Sequence, residues 1–324
     1  MIGVALVGGV MAASNESSAT ALPTGTDPGP TDPVEREYKK LLEMDDAAQE
    51  AVDRLLQQNE EARGRGSGFS QAEVNRRIRE QFDPVQSAYE DFLKRNPKHA
   101  KAHLAFGSFL DDIHDEEGAR KHWEKALELD PSNPAAYNNL AGIYAHTGPV
   151  TNAFSFFGKA IELNPREPTY YHNLGTVVYL FRVDAADYFK LSEAEVFNKV
   201  FQLYSNAMRL DPGNFPLASD VAQTYYGVNP LRTDEALQAW TNAFKIARDD
   251  IEREGVHVHF ARIKSMAGRF AEAHGHLAAV TNRMYDTIKT RVARSVAERE
   301  AARREETNSA PASAKPDGGL SPTK

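Results

Sequence analysis

Three prolines, Pro97, Pro131 and Pro165, stand 34 residues apart, and the chain around them repeats with the same step. Self-similarity at a fixed period of this size means that the chain folds as a stack of similar units, and it constrains the architecture more than any local motif. Other positions keep the step: Phe106, Leu140 and Leu174; Gly107, Ala141 and Gly175; Ala119 and Ala153. Each unit carries two apolar stripes of helical period around a polar turn such as His114-Asp115-Glu116-Glu117, which predicts a helix, a turn and a second helix. The register continues through insertions. Trp123, Phe157, Tyr204, Trp240 and Leu277 form a column with steps of 34, 47, 36 and 37 residues. The columns Ala126, Ala160, Ala207, Ala243, Val280 and Ala119, Ala153, Val200, Ala236, Ala273 share those irregular steps.

The residue types explain why such units stack. Small side chains at Gly107, Ala119, Ala126 and their equivalents let two helices approach closely, and the aromatic column fills the space between them. A single hairpin cannot bury its stripe alone, so stability comes from neighbours in a nearly one-dimensional array with capped ends. Asp130-Pro131, Asn164-Pro165 and Asp211-Pro212 end second helices, because proline disfavours a helical predecessor and brings no backbone donor.

On these residues the chain resembles the tetratricopeptide repeat family. Tyr137, Leu140, Ala141, Tyr144, Ala153, Phe157, Ala160 and Pro165 stand where that family places its packing residues. The resemblance covers about residues 97–285, with repeats starting near Ala100, Pro134, Pro168, Phe215 and Glu254. It implies an all-α, right-handed solenoid of about five helix-turn-helix repeats with flanking helices at both ends. It also implies a concave surface lined by first-helix residues: Lys101, Ser108, Asn138, Asn139, Gly142, His172, Asn173, Thr176, Tyr179, Ser219, Gln223, Tyr226 and Arg262. Asn139 and Asn173 are one repeat apart on one strip, and paired amides can hold an extended peptide by its backbone. The competing reading is hydrogen bonding between neighbouring repeats. The carboxylate-clamp pattern of Lys and Arg is not matched, since the facing positions hold Leu104, Ser108, Thr169 and Asn173.

The flanks read as follows. Ile2 to Ala13 is a twelve-residue apolar run with Val10-Met11-Ala12 as a cleavage-like site and no preceding Lys or Arg, which gives the expectation of an exported, periplasmic protein, with a cytoplasmic one as the alternative. Residues 14–33 read as a linker rich in Pro, Gly, Ser and Thr. From Val34 to about Ala62 an amphipathic helix is expected, its stripe interrupted by Asp45, and residues 34–96 hold N-terminal helices and a partial repeat. Arg63 to Gly68 is expected as a flexible hinge, and Ser70-Gln-Ala-Glu73 as a capping box. The insertion in repeat 3, Val183 to Lys190, reads either as an aromatic finger or as local packing. After Val280 the stripe Met284, Ile288, Val292, Val296 predicts a capping helix over residues 286–306, followed by a polar tail over 307–324.

Chemistry is sparse. With 38 Lys+Arg against 46 Asp+Glu, a formal charge of −8, there is no positive field for a phosphate backbone, and nucleic acid is not an expected partner. The absence of cysteine removes disulfides, thiolate metal sites and thiol nucleophiles. His257, His259, His274 and His276 invite a metal reading, but residues two apart on a helix point to opposite sides, and His257 falls in the packed column of Tyr137 and Tyr171. Asp111, Asp112, Asp115, Glu116 and Glu117 read as a solvated run at a helix start. No cofactor, metal, catalytic set or transmembrane anchor is expected. The sequence therefore predicts a non-catalytic scaffold that binds a protein or peptide partner in its concave groove. The alternatives are self-assembly into a homo-oligomer through the N-terminal helix or solenoid ends, and an enzyme with an unrecognised site.

Overall fold

In a computed structural model of the protein, which describes residues 32–309, there are fourteen α-helices, two short 3-10 turns and no strand among the described residues. The apolar run at residues 2–13, the linker up to residue 31 and the tail beyond residue 309 lie outside the described residues. The chain divides into two compact units between Leu210 and Asp211.

The first unit is a stack of helix hairpins: α1 (Pro33–Gly64) with α2 (Gln71–Arg95), α3 (Ala100–Asp112) with α4 (Glu116–Leu129), α5 (Pro134–Thr147) with α6 (Val150–Leu163), and α7 (Pro168–Leu180) with α9 (Glu193–Leu210), the short α8 (Arg182–Phe189) standing between the last two. Each hairpin starts where the local chemistry says it should. Asn133 Oδ1 accepts from Ala136 N at 3.1 Å with Pro134 behind it, and Asp115 Oδ1 accepts from Gly118 N at 3.0 Å. Asp130 and Asn164 close the second helices, their N–H groups donating to Ala126 and Ala160 carbonyls.

The second unit contains α10 (Phe215–Thr224), α11 (Thr233–Ile246), α12 (Asp250–Met266), α13 (Phe270–Ala278) and α14 (Asp286–Ser309). The fifth repeat begins at Asp250, one turn before the expected Glu254, because Asp249 caps the longer helix by accepting from Glu252 N at 2.8 Å. Glu254 is instead turned back to accept from the backbone of Thr281 and Asn282, where the chain leaves α13. Ile288, Val292 and Val296 pack α14 onto α12 and α13. Met284 does not continue that stripe: it lies in a 3-10 turn and is 68% exposed. The helix also runs three residues into the segment expected as tail.

All three sequence columns are buried from repeat 1 to repeat 5. Of the two glycines that face the aromatic column, Gly107 is the tighter: a Cβ there would meet Trp123 Cδ1 and Nε1 at 2.5 Å. Trp123 cannot retreat freely, since its indole N–H donates to the Leu104 carbonyl at 3.1 Å and its ring is buried. Gly175 meets Tyr204 in the same way, at 2.7 Å. Gly142 has nothing within 4 Å of its would-be Cβ. Gly107→Ala is therefore expected to destabilise, as overpacking costs about 1–3 kcal/mol against about 1 kcal/mol of gained helix propensity. Gly142→Ala is expected to raise stability by about 0.5–1 kcal/mol. Parallel thermal melts of the two variants check both signs.

The N-terminal hairpin corrects two expectations. Asp45 does not merely interrupt a stripe: its Oδ2 accepts the Tyr89 hydroxyl at 2.7 Å, and Tyr89 is 0% exposed, stacked on Phe106 at 5.0 Å. The Arg63–Gly68 segment, expected as a hinge, is a hydrogen-bonded turn. Phe69 N donates to buried Asn59 at 2.6 Å, Ser67 N donates to Ala62 O, and Arg77 lies over the Phe69 ring at 4.1 Å. The capping box is half made: Ser70 Oγ accepts from Glu73 N at 3.3 Å, while the Glu73 carboxylate pairs with Arg76 and Arg77.

Candidate functional site

In the first unit the amides form one hydrogen-bonded line across three first helices. Asn173 on α7 donates Nδ2–H to Asn138 Oδ1 on α5 at 3.0 Å, and Asn138 donates to Asn139 Oδ1 at 3.2 Å. Asn139 in turn donates to Ser108 Oγ on α3 at 3.4 Å, and Ser108 donates to the Leu104 carbonyl at 3.3 Å. Asn138 is the brace of this line and is only 7% exposed. Asn139 and Asn173 are half-buried, and each retains capacity: an amide has two donors and two acceptor sites. Among the described residues, Asn173 keeps one N–H and its carbonyl oxygen, and Asn139 keeps one N–H.

Thr176 is not a surface residue. It is 7% exposed, with Oγ1 3.2 Å from the Tyr204 hydroxyl of the aromatic column. His172 also turns toward that column, its ring 5.8 Å from Tyr204. Tyr179 is half-buried against Phe197 at 6.3 Å, and burial pushes its hydroxyl pKa up. Of the four candidates on α5 and α7 beyond the Asn139/Asn173 pair, Asn138 and Thr176 are buried and His172 and Tyr179 lie against aromatic rings.

The remaining three candidates lie in the second unit. Gln223 donates to Ser219 Oγ at 3.3 Å along α10. Tyr226 is not on a first helix, because α10 ends at Thr224 and a 3-10 turn, Tyr225–Gly227, follows. Its hydroxyl meets His259 Nδ1 at 3.1 Å, and Arg262 lies over its ring at 4.4 Å. His259 stacks on Trp240 with centroids 3.9 Å apart and planes 11° apart, and burial depresses its pKa. Desolvation likewise raises the Tyr226 hydroxyl. Tyr226, His259 and Arg262 thus brace α12 against Trp240, a packing role the sequence reading had not assigned to His259.

N-terminal helix α1 runs along α3. Tyr38 Oη donates to Lys101 O at 3.2 Å, Glu35 lies 3.7 Å from Lys101 Nζ, and Gln49 donates to Asp112 at 3.2 Å. The α1/α2 hairpin therefore stacks as one more layer before repeat 1. The insertion α8 lays Tyr188 and Phe189 on Phe154, at 5.3 and 5.5 Å, and beside them opens a groove of about 570 Å³ whose walls include Tyr137, Tyr171 and Lys199.

The charged clusters are used locally. Asp115 is a cap, Asp112 accepts from Gln49, and Glu117 pairs with Lys121 at 2.7 Å. The four histidines do not converge on one point: His274 meets Glu300 at 3.1 Å, His259 faces Trp240, and His257 pairs with His276, with Nδ1 atoms 2.9 Å apart. No group of three or more His, Asp or Glu side chains suited to a metal ion occurs among the described residues. Nor is any described helix long and apolar enough to cross a membrane.

Stacked hairpins with small residues facing an aromatic column, and a polar first-helix strip, define a helical-repeat interaction protein. Sequence models of the TPR repeat and the tetratricopeptide repeat match residues 116–148 and 134–167. Residues 116–167 therefore carry tetratricopeptide repeats, a repeat typical of non-catalytic scaffolds for protein interaction. It is 35% identical over 72 residues to Superkiller protein 3 of Schizosaccharomyces pombe, a match that takes in 22% of this chain and 5% of that protein. Among solved structures it is similar to YrrB, described as a TPR protein with an unusual peptide-binding site (TM-score 0.49, 17% identity, 64% of this chain and 99% of that one). PilF of Pseudomonas aeruginosa is similar over 80% of this chain and 99% of its own (TM-score 0.49, 16% identity). MamA is similar over 55% and 95% (TM-score 0.42, 23% identity).

Proposed function

We propose that the protein holds an extended segment of a partner protein along the first helices of repeats 2 and 3, with Asn173 and Asn139 as its polar anchors. The observation that carries this reading is the amide line itself. Asn138, buried, accepts from Asn173 and donates to Asn139, and so orients Asn173 while leaving that side chain a donor and an acceptor. A peptide backbone in extended form offers the matching C=O and N–H. Pre-orientation lowers the ordering cost that an exposed amide would otherwise incur on binding.

The test separates anchor from brace. In the native host, crosslinked partner is quantified for wild type, for Asn139→Ala with Asn173→Ala, and for Asn138→Ala. The double variant is expected to lose at least tenfold in captured partner. Asn138→Ala is expected to lower the melting temperature and, because Asn173 loses its orienting bond, to reduce capture by less than the double variant does. Full capture by the double variant would overturn the assignment of the anchors.

A further inference from the structure

Two histidine pairs occupy the same register position in different repeats. His103 and His122 join α3 to α4 in repeat 1, and His257 and His276 join α12 to α13 in repeat 5. In each pair the partners are 19 residues apart in sequence and their Nδ1 atoms 2.9 Å apart. Repeat 2 places Tyr137 and Phe156 at these positions, with ring centroids 5.5 Å apart and edge to face. The hairpin therefore tolerates an apolar pair there, and the fold as such does not require histidine.

Each pair is a hydrogen bond between imidazoles. Centroids lie 5.1 and 5.2 Å apart, nearly the N···N gap plus the two ring radii, so the rings meet end to end. One nitrogen donates and the other accepts. For His103 the assignment follows from the backbone: Nε2 is 3.1 Å from the Pro97 carbonyl, which only accepts, so Nε2 carries the hydrogen. The Nδ1 of neutral His103 is then a lone pair, and His122 donates to it. One added proton can be accommodated by exchanging these roles. A second proton puts two N–H groups and two positive charges face to face at hydrogen-bond distance, and the contact has to open.

We infer that the two pairs are acid-released latches, closed at neutral pH and opened in acid, that hold the first and second helices of repeats 1 and 5 together. The surroundings do not rescue the charged form. Phe106 packs on the His122 ring at 4.6 Å, Phe244 on His257 at 5.2 Å and Phe260 on His276 at 4.9 Å, and a benzene ring offers no acceptor of carboxylate strength. Near the first pair, Lys125 and His99 oppose protonation while Glu128, Asp115 and Glu90 favour it. Near the second, Lys264 opposes it while Glu254 and Glu272 favour it. Desolvation outweighs these charges: all four histidines are held below the ordinary 6.5, His122 at about 4.

The sign follows by linkage. Above pH 6.5 folded and unfolded chains are both neutral at these sites, and the latches cost nothing. Below it the unfolded chain takes up protons that the folded pairs resist, so stability falls with pH until the folded sites titrate. One excluded proton per pair amounts to about a 30-fold rise in the unfolding equilibrium constant at pH 5.

The experiment compares the full chain with His103→Tyr/His122→Phe, with His257→Tyr/His276→Phe, and with all four changes together, using the residue pair that repeat 2 already tolerates. Unfolding by denaturant is followed at pH 7.5 and pH 5. The acid loss is expected to shrink by about 30-fold in each double variant and by both factors in the quadruple variant. Amide exchange in wild type at pH 5 should speed up first in residues 100–129 and 250–278. An equal acid loss in wild type and the quadruple variant would overturn the inference. Nitrogen NMR on wild type needs no variant: a tautomer of His103 with the hydrogen on Nε2, and histidines that resist titration at pH 6, are expected. Four independent imidazoles titrating near 6.5 would equally overturn it.

Discussion

Trp240→Ala is expected to lower the stability of the second unit by about 3–5 kcal/mol, the usual range for removing a fully buried aromatic side chain. The ring is 0% exposed and lies face to face with His259 at 3.9 Å, so its loss opens a cavity and leaves the imidazole without its stacking partner. His259 is tied to Tyr226 by a 3.1 Å hydrogen bond and cannot easily swing into the space. The small residues on either side, Ala236 and Ala243, are buried but have no side-chain length with which to refill it. In a repeat stack the damage stays close to the site, because each layer touches only its neighbours. Amide exchange should therefore report loss of protection across α11 and α12 while repeats 1 and 2 keep theirs. A melt unchanged by the substitution would contradict the register that places Trp240 in the column of Trp123 and Phe157.

Tyr89→Phe is expected to cost about 1.5–3 kcal/mol at pH 7, although it removes only one oxygen, because that oxygen donates to a carboxylate. Asp45 sits on the inner side of α1, and its Oδ1 is buried without a hydrogen bond from the protein, so the Tyr89 hydroxyl is a principal compensation for its charge. Burial pushes the Asp45 carboxyl above its ordinary 3.8, with the Tyr89 hydrogen bond pulling the other way. A carboxyl raised on folding binds its proton more tightly in the folded chain. Stability contributed by this site is therefore present in acid and lost as pH rises from 3.8 through the raised folded value. Two consequences follow. The cost of Tyr89→Phe should shrink on acidification as Asp45 becomes neutral, and Asp45→Asn should reduce that cost at pH 7 by removing the charge. Denaturant titration of the two single variants and the double variant at pH 4 and pH 7 closes the cycle.

Much of the fold was legible because the repeat columns are set by packing. Ala126, Ala160, Ala207 and Ala243 are fully buried, and Gly107 and Gly175 have no room for even a methyl group where Trp123 and Tyr204 lie. Such steric requirements leave their mark at a fixed period whatever the loops do. Boundaries were less legible: α12 starts a turn early because Asp249 is a better cap than anything at residue 253, and Tyr226 falls in a 3-10 turn because α10 is short. The site residues were the least legible. A first-helix position says which strip a side chain belongs to but not which way it hydrogen-bonds, so buried Asn138 and Thr176 looked the same as half-exposed Asn139 and Asn173. Pairings across a hairpin, such as His257 with His276 or Tyr89 with Asp45, carry no local sequence signal. Their one available sign was periodic: the 19-residue spacing of His103 and His122 recurs in repeat 5.

The most direct test of the interaction-scaffold reading uses Gly142, which stands one turn after Asn139 on α5 and has open space around its would-be side chain. A benzophenone amino acid placed there should crosslink another protein in the native host, and the same group at exposed Glu124 on α4 should not. Crosslinking from both positions alike, or from Gly142 only to a second copy of this chain, would contradict a partner-binding strip along the first helices.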